Sequence, residues 1–378
     1  MNALFLSVST GKGHFKAAEA LREAVENKYP LSQNLIIDSL KYINPVVDKL
    51  VVGSYLTTVK ANPYIYKKIY EISELNDHFY LFSKAINNLF SHKIRSLISQ
   101  TNPSVVVCTH PFPLQMLSIL KKKGMIDTPV AAILTDYVSH NFWVHESIDA
   151  YIVAHEGMKL ELIKRGISEK VVYPYGIPVS SHFQKKKSKQ TLLQELNLEN
   201  KTTILVMGGS LGLGEIENAF NALLAVDREL QIIILTGDNS KIKQKLEFQA
   251  ACSDKTIRIL GYTHRVSDYM DVSDLLITKP GGMTISEALV KELPTLIISP
   301  IPGHEEGNAG FLTRQGAAIR VDNTVHLDQV LTHLLDHPST LQRMKKAAGK
   351  LSKPAATKDI LCLLESLASN RYLDAFSP

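Results

Sequence analysis

The segment SVSTGKGHFKAAEAL, residues 7–21, contains the first candidate for chemistry, His14. A glycine-rich turn containing Gly11 and Gly13 follows a strand-like run and precedes a helix-like run. Free amides and the helix dipole at such a turn bind anions or polar ligands. A helix start also lowers the pKa of an imidazole, which keeps a neutral base near physiological pH. Taken alone, the pattern also fits a structural histidine. It is not a nucleotide P-loop, because one residue and not four separates Gly11 from Gly13.

A second glycine-rich turn, MGGSLGLGEIENAF, occupies residues 207–220 and contains Gly208, Gly209 and Ser210. Small residues let a ligand approach the backbone closely. The turn alone is weak evidence, since many tight strand-to-helix connections have this composition.

The most informative stretch is LITKPGGMTISEAL, residues 276–289. A predicted strand ends at Thr278 and is followed by Pro280, Gly281 and Gly282, after which Thr284 opens a helix. The exposed amides of that helix suit a diphosphate. Glu287, one turn further, offers two acceptor oxygens to the two hydroxyls of a ribose. Any one of these residues could be a helix cap, but together they predict a nucleoside-diphosphate site.

The segment PGHEEGN follows the next predicted strand and carries Glu305, Glu306 and Asn308, which could bind sugar hydroxyls. The alternative is a solvated charged turn. No Asp-x-Asp pair occurs in the chain, so the carboxylates that hold a divalent metal on many sugar nucleotides are missing. We therefore expect no metal and no cofactor. Asp268, Asp271 and Asp274 fit a helix surface or cap.

Short apolar runs separated by helix-length segments predict an α/β protein with parallel sheets. The predicted strands are 3–8, 35–38, 104–109, 130–135, 150–154 and 171–173 in one set, and 203–207, 231–236, 257–260, 275–278, 295–298 and 318–321 in the other. The two sets predict two Rossmann-like domains, residues 1–178 and 179–354, followed by a C-terminal helix and tail over 355–378. The hinge is expected near 178–190.

A basic and aromatic insertion interrupts the first domain at about residues 55–95, where tyrosines and phenylalanines alternate with Lys60, Lys67, Lys68, Lys84, Lys93 and Arg95. Amphipathic segments of this composition bind membrane interfaces and phosphate headgroups. A helical part of the domain core is the alternative.

Composition describes an ordinary globular chain of 378 residues, with 45% hydrophobic and 21% charged residues and a net charge of +5. The three dispersed cysteines suggest reduced thiols, and neither a secretion signal nor a membrane-spanning run is apparent. The lysines form no stripe typical of nucleic-acid binding. We expect a cytoplasmic protein, peripheral on the inner face of the cell membrane.

The chain resembles the processive diacylglycerol glucosyltransferases and monogalactosyldiacylglycerol synthases, relatives of the lipid II N-acetylglucosaminyltransferase. The resemblance covers nearly the whole length. It rests on GKGH at 11–14, THPFP at 109–113, TDYVSHNFWVHESIDAYIVA at 135–154, GIPV at 176–179, LGYTHRVSDYMDVSDLLITKPGG at 260–282 and PGHEEGN at 302–308. It implies two Rossmann-like domains facing a cleft, the B type of glycosyltransferase fold, with the C-terminal helix packing back on the N-terminal domain.

The resemblance also implies roles for residues. His14 and Asp136 would be catalytic, and the acceptor site would contain Gly13, His110, His140 and Trp143. The UDP-sugar would contact Gly208, Gly209, Ser210, Gly237, Tyr262, Pro280, Gly281, Gly282, Thr284, Glu287, Glu305, Glu306 and Asn308. His304 stands where the family usually has a glutamine that contacts the hexose, so the identity of the donor stays open.

The expected activity is inverting, metal-independent transfer of a hexose from a UDP-sugar to a lipid hydroxyl, such as that of diacylglycerol. Two alternatives remain. A non-hydrolysing UDP-N-acetylglucosamine 2-epimerase shares the fold and the UDP-sugar grip, but it should lack the acceptor-side segments at 109–113 and 135–146. A non-catalytic UDP-sugar-binding protein would keep the C-terminal residues without needing His14 and Asp136.

Overall fold

The computed structural model describes residues 1–9, 11–46, 48, 49, 53, 90–185, 187–209 and 215–375, with side chains to residue 369. The chain divides into two compact units. The first contains residues 1–180, 302–304 and 354–378, and the second contains 181–301 and 305–353. Most of the predicted basic and aromatic insertion, residues 54–89, lies outside the described residues.

The described residues contain twelve β-strands. They are β1 Ala3–Ser7, β2 Leu35–Asp38, β3 Val105–Cys108, β4 Val130–Ile133, β5 Ala150–Ile152, β6 Val172–Tyr173, β7 Thr203–Met207, β8 Gln231–Leu235, β9 Thr256–Leu260, β10 Leu275–Thr278, β11 Thr295–Ile298 and β12 Ala318–Val321.

Helices connect most of these strands. They are α1 Lys12–Lys28, α2 Ser39–Ile43, α3 Pro111–Lys122, α4 Glu156–Lys164, α5 Ser181–Gln184, α6 Lys189–Glu195, α7 Ile216–Ala225, α8 Ser240–Ala250, α9 Val266–Val272, α10 Gly282–Val290, α11 His304–Arg314, α12 Leu327–Asp336, α13 Pro338–Leu351 and α14 Ala356–Ala375. Residues 90–101 are also helical, and 3₁₀ turns form at Asn141–Trp143, Glu169–Val171 and Thr324–His326.

The first unit contains a six-stranded sheet in the order β2-β1-β3-β4-β5-β6, with every pair parallel. Its central strands are buried on both faces, which explains their uninterrupted apolar sequences. The last helix, α14, completes the core of this unit, because Ile360 and Leu364 pack in one cluster with Phe5 and Leu21.

The second unit contains another parallel six-stranded sheet, in the order β12-β11-β10-β7-β8-β9. Its core joins Ile204 and Ile277 of adjacent strands to Phe220 of α7 and Leu331 of α12. The predicted α/β class with two doubly wound sheets is confirmed, and so is the return of the C-terminal helix to the first domain.

Candidate active site

In the first sheet, the strand order reverses between β1 and β3. The chain passes from β1 to β2 on one side, and from β3 through β4 and β5 to β6 on the other. Ligands of open parallel sheets bind beyond the carboxyl ends of the strands at such a switch point. His14 follows β1 and His110 follows β3, while Asp136 follows the neighbouring strand β4. The topology therefore brings together three of the residues predicted from the sequence.

The ring of His14 is fixed by two neighbours. Its Nδ1 atom lies 2.7 Å from the carbonyl oxygen of Thr109 and 2.8 Å from the hydroxyl oxygen of Thr135. A carbonyl oxygen only accepts hydrogen bonds, so Nδ1 must carry the proton that it donates to Thr109. In a neutral ring with Nδ1 protonated, the lone pair is on Nε2. The geometry thus assigns Nε2 as the basic atom.

The pKa of His14 is lowered by burial of the imidazole. The negative charge of Asp136 and the bond to Thr109 act in the opposite direction and raise it, while His304, which belongs to the first unit, lowers it further. The net result is a neutral ring with a carboxylate nearby that stabilises the imidazolium once a proton is taken up. A general base needs this combination.

His110 and His140 use their rings to cap helical turns. Nδ1 of His110 accepts from the amide of Phe112 at the start of α3, and Nδ1 of His140 accepts from Phe142 in the turn that follows. Burial lowers the pKa of His110 well below its ordinary value, and lowers that of His140 to about 4. The rings of His14 and His110 meet edge to face, with centroids 4.8 Å apart. The rings of His110 and His140 are therefore neutral near pH 7.

The remaining predicted acceptor residues differ in accessibility. Gly13 is partly buried in the first turn of α1, next to His14. Trp143 is only 5% exposed and packs in the interior. Its predicted contact with the acceptor is not supported by an accessible surface and stays a prediction.

In the second sheet, the order reverses between β7 and β10. Gly208 and Gly209 follow β7, and residues 279–282 follow β10. Gly209 has a φ of +70°, and a Cβ atom there would lie 3.2 Å from Cε of Lys279. The positive φ favours glycine at this position, and an added Cβ would also require the flexible side chain of Lys279 to shift. Ser210, predicted at the same turn, lies outside the described residues.

Helix α10 begins after Gly281, which provides no side chain to cap it. The first bond that closes its turn runs from the amide of Ile285 to the carbonyl of Gly281, at 3.0 Å. The amides of Gly282, Met283 and Thr284 therefore precede the regular bonding of the helix, at its positive end. Gly281 has an ordinary φ of −68° and room for a side chain. An anion site is thus available at the switch point.

Two residues predicted to contact the donor differ in exposure. Thr284, in the first turn of α10, is partly buried, whereas Glu287 is 3% exposed. The depth of Glu287 limits how much of its carboxylate a ribose could reach, and its role stays a prediction.

Glu305 and Asn308 brace the turn before α10. Glu305 pairs with Lys279 and accepts a bond from the amide of Ile301 at 2.9 Å. The side-chain amide of Asn308, which is fully buried, donates to the carbonyl of Pro280 at 2.9 Å. Both side chains, predicted to face the sugar, thus have partners inside the second unit.

The other predicted donor residues are spread along the same edge of the second sheet. Gly237 follows β8 with a φ of +60°, and Tyr262 follows β9 with 48% of its surface exposed. Glu306 is partly exposed at the start of α11 and lies 4.0 Å from Arg320.

Four contributors were not among the predicted site residues, although three of them lie in the quoted motifs: Thr109, Thr135, Lys279 and Ile301. Two of them act through backbone groups, which no residue type reveals. Thr135 lies inside the TDYVSH segment, so only its position in that segment could have drawn attention to it. Within the described part of the chain, no three His, Cys, Asp or Glu side chains are arranged to hold a metal ion. None of the helices described there is long and apolar enough to cross a bilayer.

Two family models match the chain. Residues 14–179 match the monogalactosyldiacylglycerol (MGDG) synthase model, and residues 203–360 match the C-terminal domain of glycosyltransferase family 28. The processive diacylglycerol beta-glucosyltransferase of Bacillus subtilis (strain 168) is 28% identical over 369 residues, which cover 95% of this chain and 93% of that protein.

Solved structures share the fold. MurG of Acinetobacter baumannii has a TM-score of 0.60 at 16% identity, over 97% of this chain and 99% of that one. The UDP-GlcNAc 2-epimerase of Neisseria meningitidis, bound to UDP-GlcNAc, has a TM-score of 0.60 at 14% identity, over 97% and 100%. The fold and the two matched domains define a glycosyltransferase of the B type. Within that class, the chain resembles the monogalactosyldiacylglycerol synthases in its first domain and a processive diacylglycerol glucosyltransferase over 95% of its length.

Proposed function

We propose that this enzyme transfers a hexose from a UDP-sugar to a lipid hydroxyl, such as that of diacylglycerol, with inversion at the anomeric carbon and without a metal ion. The proposed acceptor rests on the MGDG synthase model and on the relative from Bacillus subtilis, whose name states this acceptor. The UDP-sugar grip is proposed for the second unit, which matches the family 28 domain.

The observation that carries the proposal is the uncapped start of α10 at the switch point of the second sheet. Amides and a helix dipole already aimed at one place stabilise a diphosphate there. Negative charge grows on the diphosphate as the sugar bond breaks, so the same amides stabilise the transition state without reorganising. This is the role that a divalent metal has in other transferases.

The base is His14. Its Nε2 atom takes the proton of the acceptor hydroxyl, the oxygen forms a bond to the anomeric carbon, and the bond from that carbon to the diphosphate oxygen breaks. UDP leaves with the electron pair. A single displacement of this kind inverts the anomeric configuration. The carboxylate of Asp136 stabilises the imidazolium that forms.

The proposed location is the cytoplasmic side of the membrane, with the protein bound peripherally to an anionic surface. A lipid acceptor requires contact with a bilayer, and the basic and aromatic residues at about 55–95 have a suitable composition. Sedimentation with anionic and with zwitterionic vesicles tests this part. Equal recovery in the supernatant with both, together with activity on a short-chain soluble acceptor, would contradict it.

The epimerase alternative shares the fold, and the structure from Neisseria meningitidis has the same TM-score as MurG. At such low identities the fold alone does not choose between them. The match of residues 14–179 to an MGDG synthase model favours the transferase, since these residues contain the acceptor-side segments.

One experiment separates the candidates. The full chain is incubated with UDP-glucose, UDP-galactose or UDP-N-acetylglucosamine, with and without diacylglycerol, and UDP release is measured. A transferase releases UDP only with the acceptor. An epimerase converts UDP-N-acetylglucosamine without an acceptor, and a binding protein releases nothing. Repeating the assay with EDTA, using the donor and acceptor that support UDP release, tests whether a metal ion is required. The NMR coupling of the anomeric proton in the product tests whether the configuration is inverted.

A further inference from the structure

The buried hydroxyl of Thr135 lies beside the ring of His14. The residue follows β4 and is 4% exposed. Its hydroxyl oxygen lies 2.8 Å from Nδ1 of His14. A buried hydroxyl directed at one ring nitrogen can fix the orientation of that ring.

The same nitrogen also lies 2.7 Å from the carbonyl oxygen of Thr109. That carbonyl is itself anchored, because the amide of Thr109 donates to Leu6 and its hydroxyl donates to Ser7, both in β1. Ser7 and Thr109 are fully buried. The ring of His14 is therefore held by a frame built from β1 and the ends of β3 and β4.

The frame selects one tautomer. If Nδ1 carried the lone pair, Thr135 could donate to it, but that lone pair would face the carbonyl oxygen of Thr109 at 2.7 Å, which is repulsive. With Nδ1 protonated, both oxygens accept from the same N–H group. Shared bonds of this kind are common in proteins.

We propose that Thr135 is a positioning residue for the reaction: its hydroxyl, together with the Thr109 carbonyl, fixes the His14 ring with Nδ1 protonated and Nε2 free to accept the acceptor's proton. The inference deepens the proposed function and rests on it for the catalytic effect. An acceptor bond to a charged donor is stronger than one to a neutral donor. The Thr135 hydroxyl therefore favours the imidazolium and makes Nε2 a stronger base.

The test compares Thr135→Val, which removes the hydroxyl and keeps the branched shape, with Thr135→Ser, which keeps the hydroxyl. We expect kcat of the valine variant to fall by about tenfold, near the upper effect of a lost hydrogen bond. KM for the UDP-sugar should stay within about twofold, because α10 is unchanged. The acidic limb of the pH profile should move to lower pH, since the His14 base becomes weaker. The serine variant should recover most of the loss.

A matched control is Thr357→Val, which removes another buried threonine hydroxyl of the first unit, one that bonds to Val179. It should lower stability and leave kcat and the pH profile unchanged. An unchanged kcat and pH limb in Thr135→Val would overturn the inference. A serine variant as slow as the valine variant would also overturn it, because packing would then be the cause.

A second measurement needs no substrate. Nitrogen NMR of histidine-labelled protein distinguishes protonated from unprotonated ring nitrogens, and His14→Gln assigns the His14 signal among the 13 histidines. We expect Nδ1 protonated in the wild type, with more of the other tautomer or a lower pKa in Thr135→Val. An Nε2-protonated wild type would overturn the inference. If no variant turned over any UDP-sugar while the NMR result held, the proposed function would fail and the positioning of His14 would stand.

Discussion

The hydroxyl of Thr357 bonds to both backbone groups of Val179: it donates to the carbonyl at 2.7 Å and accepts from the amide at 3.1 Å. Val179 is fully buried, and these bonds attach the start of α14 to the end of the first unit's main segment. The Thr357 side chain thus satisfies backbone groups that a neighbouring strand would otherwise satisfy.

Thr357→Val should therefore leave two buried backbone groups unsatisfied. The expected loss in free energy of unfolding is about 2 kcal/mol, the usual cost of an unpaired buried polar group. Chemical denaturation monitored by circular dichroism measures it. Thr357→Ser keeps the hydroxyl and should cost much less. Equal losses in the two variants would assign the effect to the methyl group and not to the hydrogen bonds.

The proposed binding of a diphosphate by the first amides of α10 can be tested by introducing a side chain that caps this helix. Gly281 has the extended conformation of a capping residue, and an added Cβ would meet its nearest neighbour, Oε1 of Glu305, at an ordinary 3.7 Å. Gly281→Asp places a carboxylate where the amides can bond to it. We expect UDP affinity to fall at least tenfold while the melting temperature does not fall. Isothermal titration calorimetry and thermal unfolding measure the two quantities.

Gly281→Ala is the control, because it adds the Cβ atom without a capping group. It should bind UDP within about threefold of the wild type. If the alanine and aspartate variants lost affinity equally, steric crowding would explain the loss. If neither lost affinity, the diphosphate would bind elsewhere.

The acidic limb of the pH profile should report on His14. Burial lowers its pKa, so the ring stays neutral and basic below the ordinary value of 6.5. Asp136 raises that pKa, and Asp136→Asn should lower it further. The acidic limb of kcat/KM should therefore move to lower pH in this variant, while kcat on the plateau falls because the imidazolium is less stabilised. A limb that moves to higher pH would contradict the assigned interaction.

Loss of the base itself should be severe. His14→Gln should reduce kcat by about 10²- to 10⁴-fold and leave UDP affinity unchanged, since the second unit is untouched. Turnover assays and calorimetry on the same preparation check both halves. Normal turnover in His14→Gln would remove the residue from the mechanism.

Stability should also depend on pH through His140. Burial, followed by electrostatic interactions with Arg165 and His304, lowers its pKa to about 4 from an ordinary 6.5. Between these pH values His140 binds a proton in the unfolded chain but not in the folded chain. Its contribution to the free energy of unfolding is therefore fully present above pH 6.5 and is lost as the pH drops towards 4. The loss from this residue is about 3 kcal/mol. His14 and His110 act in the same direction.

His140→Asn keeps an acceptor for the amide of Phe142 and removes the titration, so it should flatten this pH dependence. His326→Asn, at an exposed position, should not. Urea unfolding at pH 7.5 and pH 5 gives the comparison, and the same slope in the wild type and His140→Asn would contradict the prediction.

All twelve strands were predicted from apolar runs, and five of them with the observed bounds: β2, β7, β10, β11 and β12. The errors elsewhere are one or two residues at strand ends. Most of them arise because residues such as Val8 and Thr135 are buried like their neighbours but lie outside the ladder of backbone bonds. Burial is visible in a sequence, whereas the last hydrogen bond is not.

The candidate sites were predictable in part. The glycine-rich turns and His14 were predictable, because glycines favour tight turns and both turns lie between a strand-like and a helix-like run. The partners of Glu305 and Asn308 could not be predicted, since a carboxylate or amide that could bind a sugar can equally bind Lys279 or the carbonyl of Pro280. Only the three-dimensional neighbourhood chooses between these partners.

The place of α14 has a consequence for biosynthesis. Ile360 and Leu364 belong to the same apolar cluster as Phe5 and Leu21, although more than 300 residues separate them in sequence. On the ribosome, the first 180 residues emerge with that part of their interior open to water, while residues 181–353 can already fold. The unit that is synthesised first is therefore expected to mature last, after nearly the whole chain has been translated.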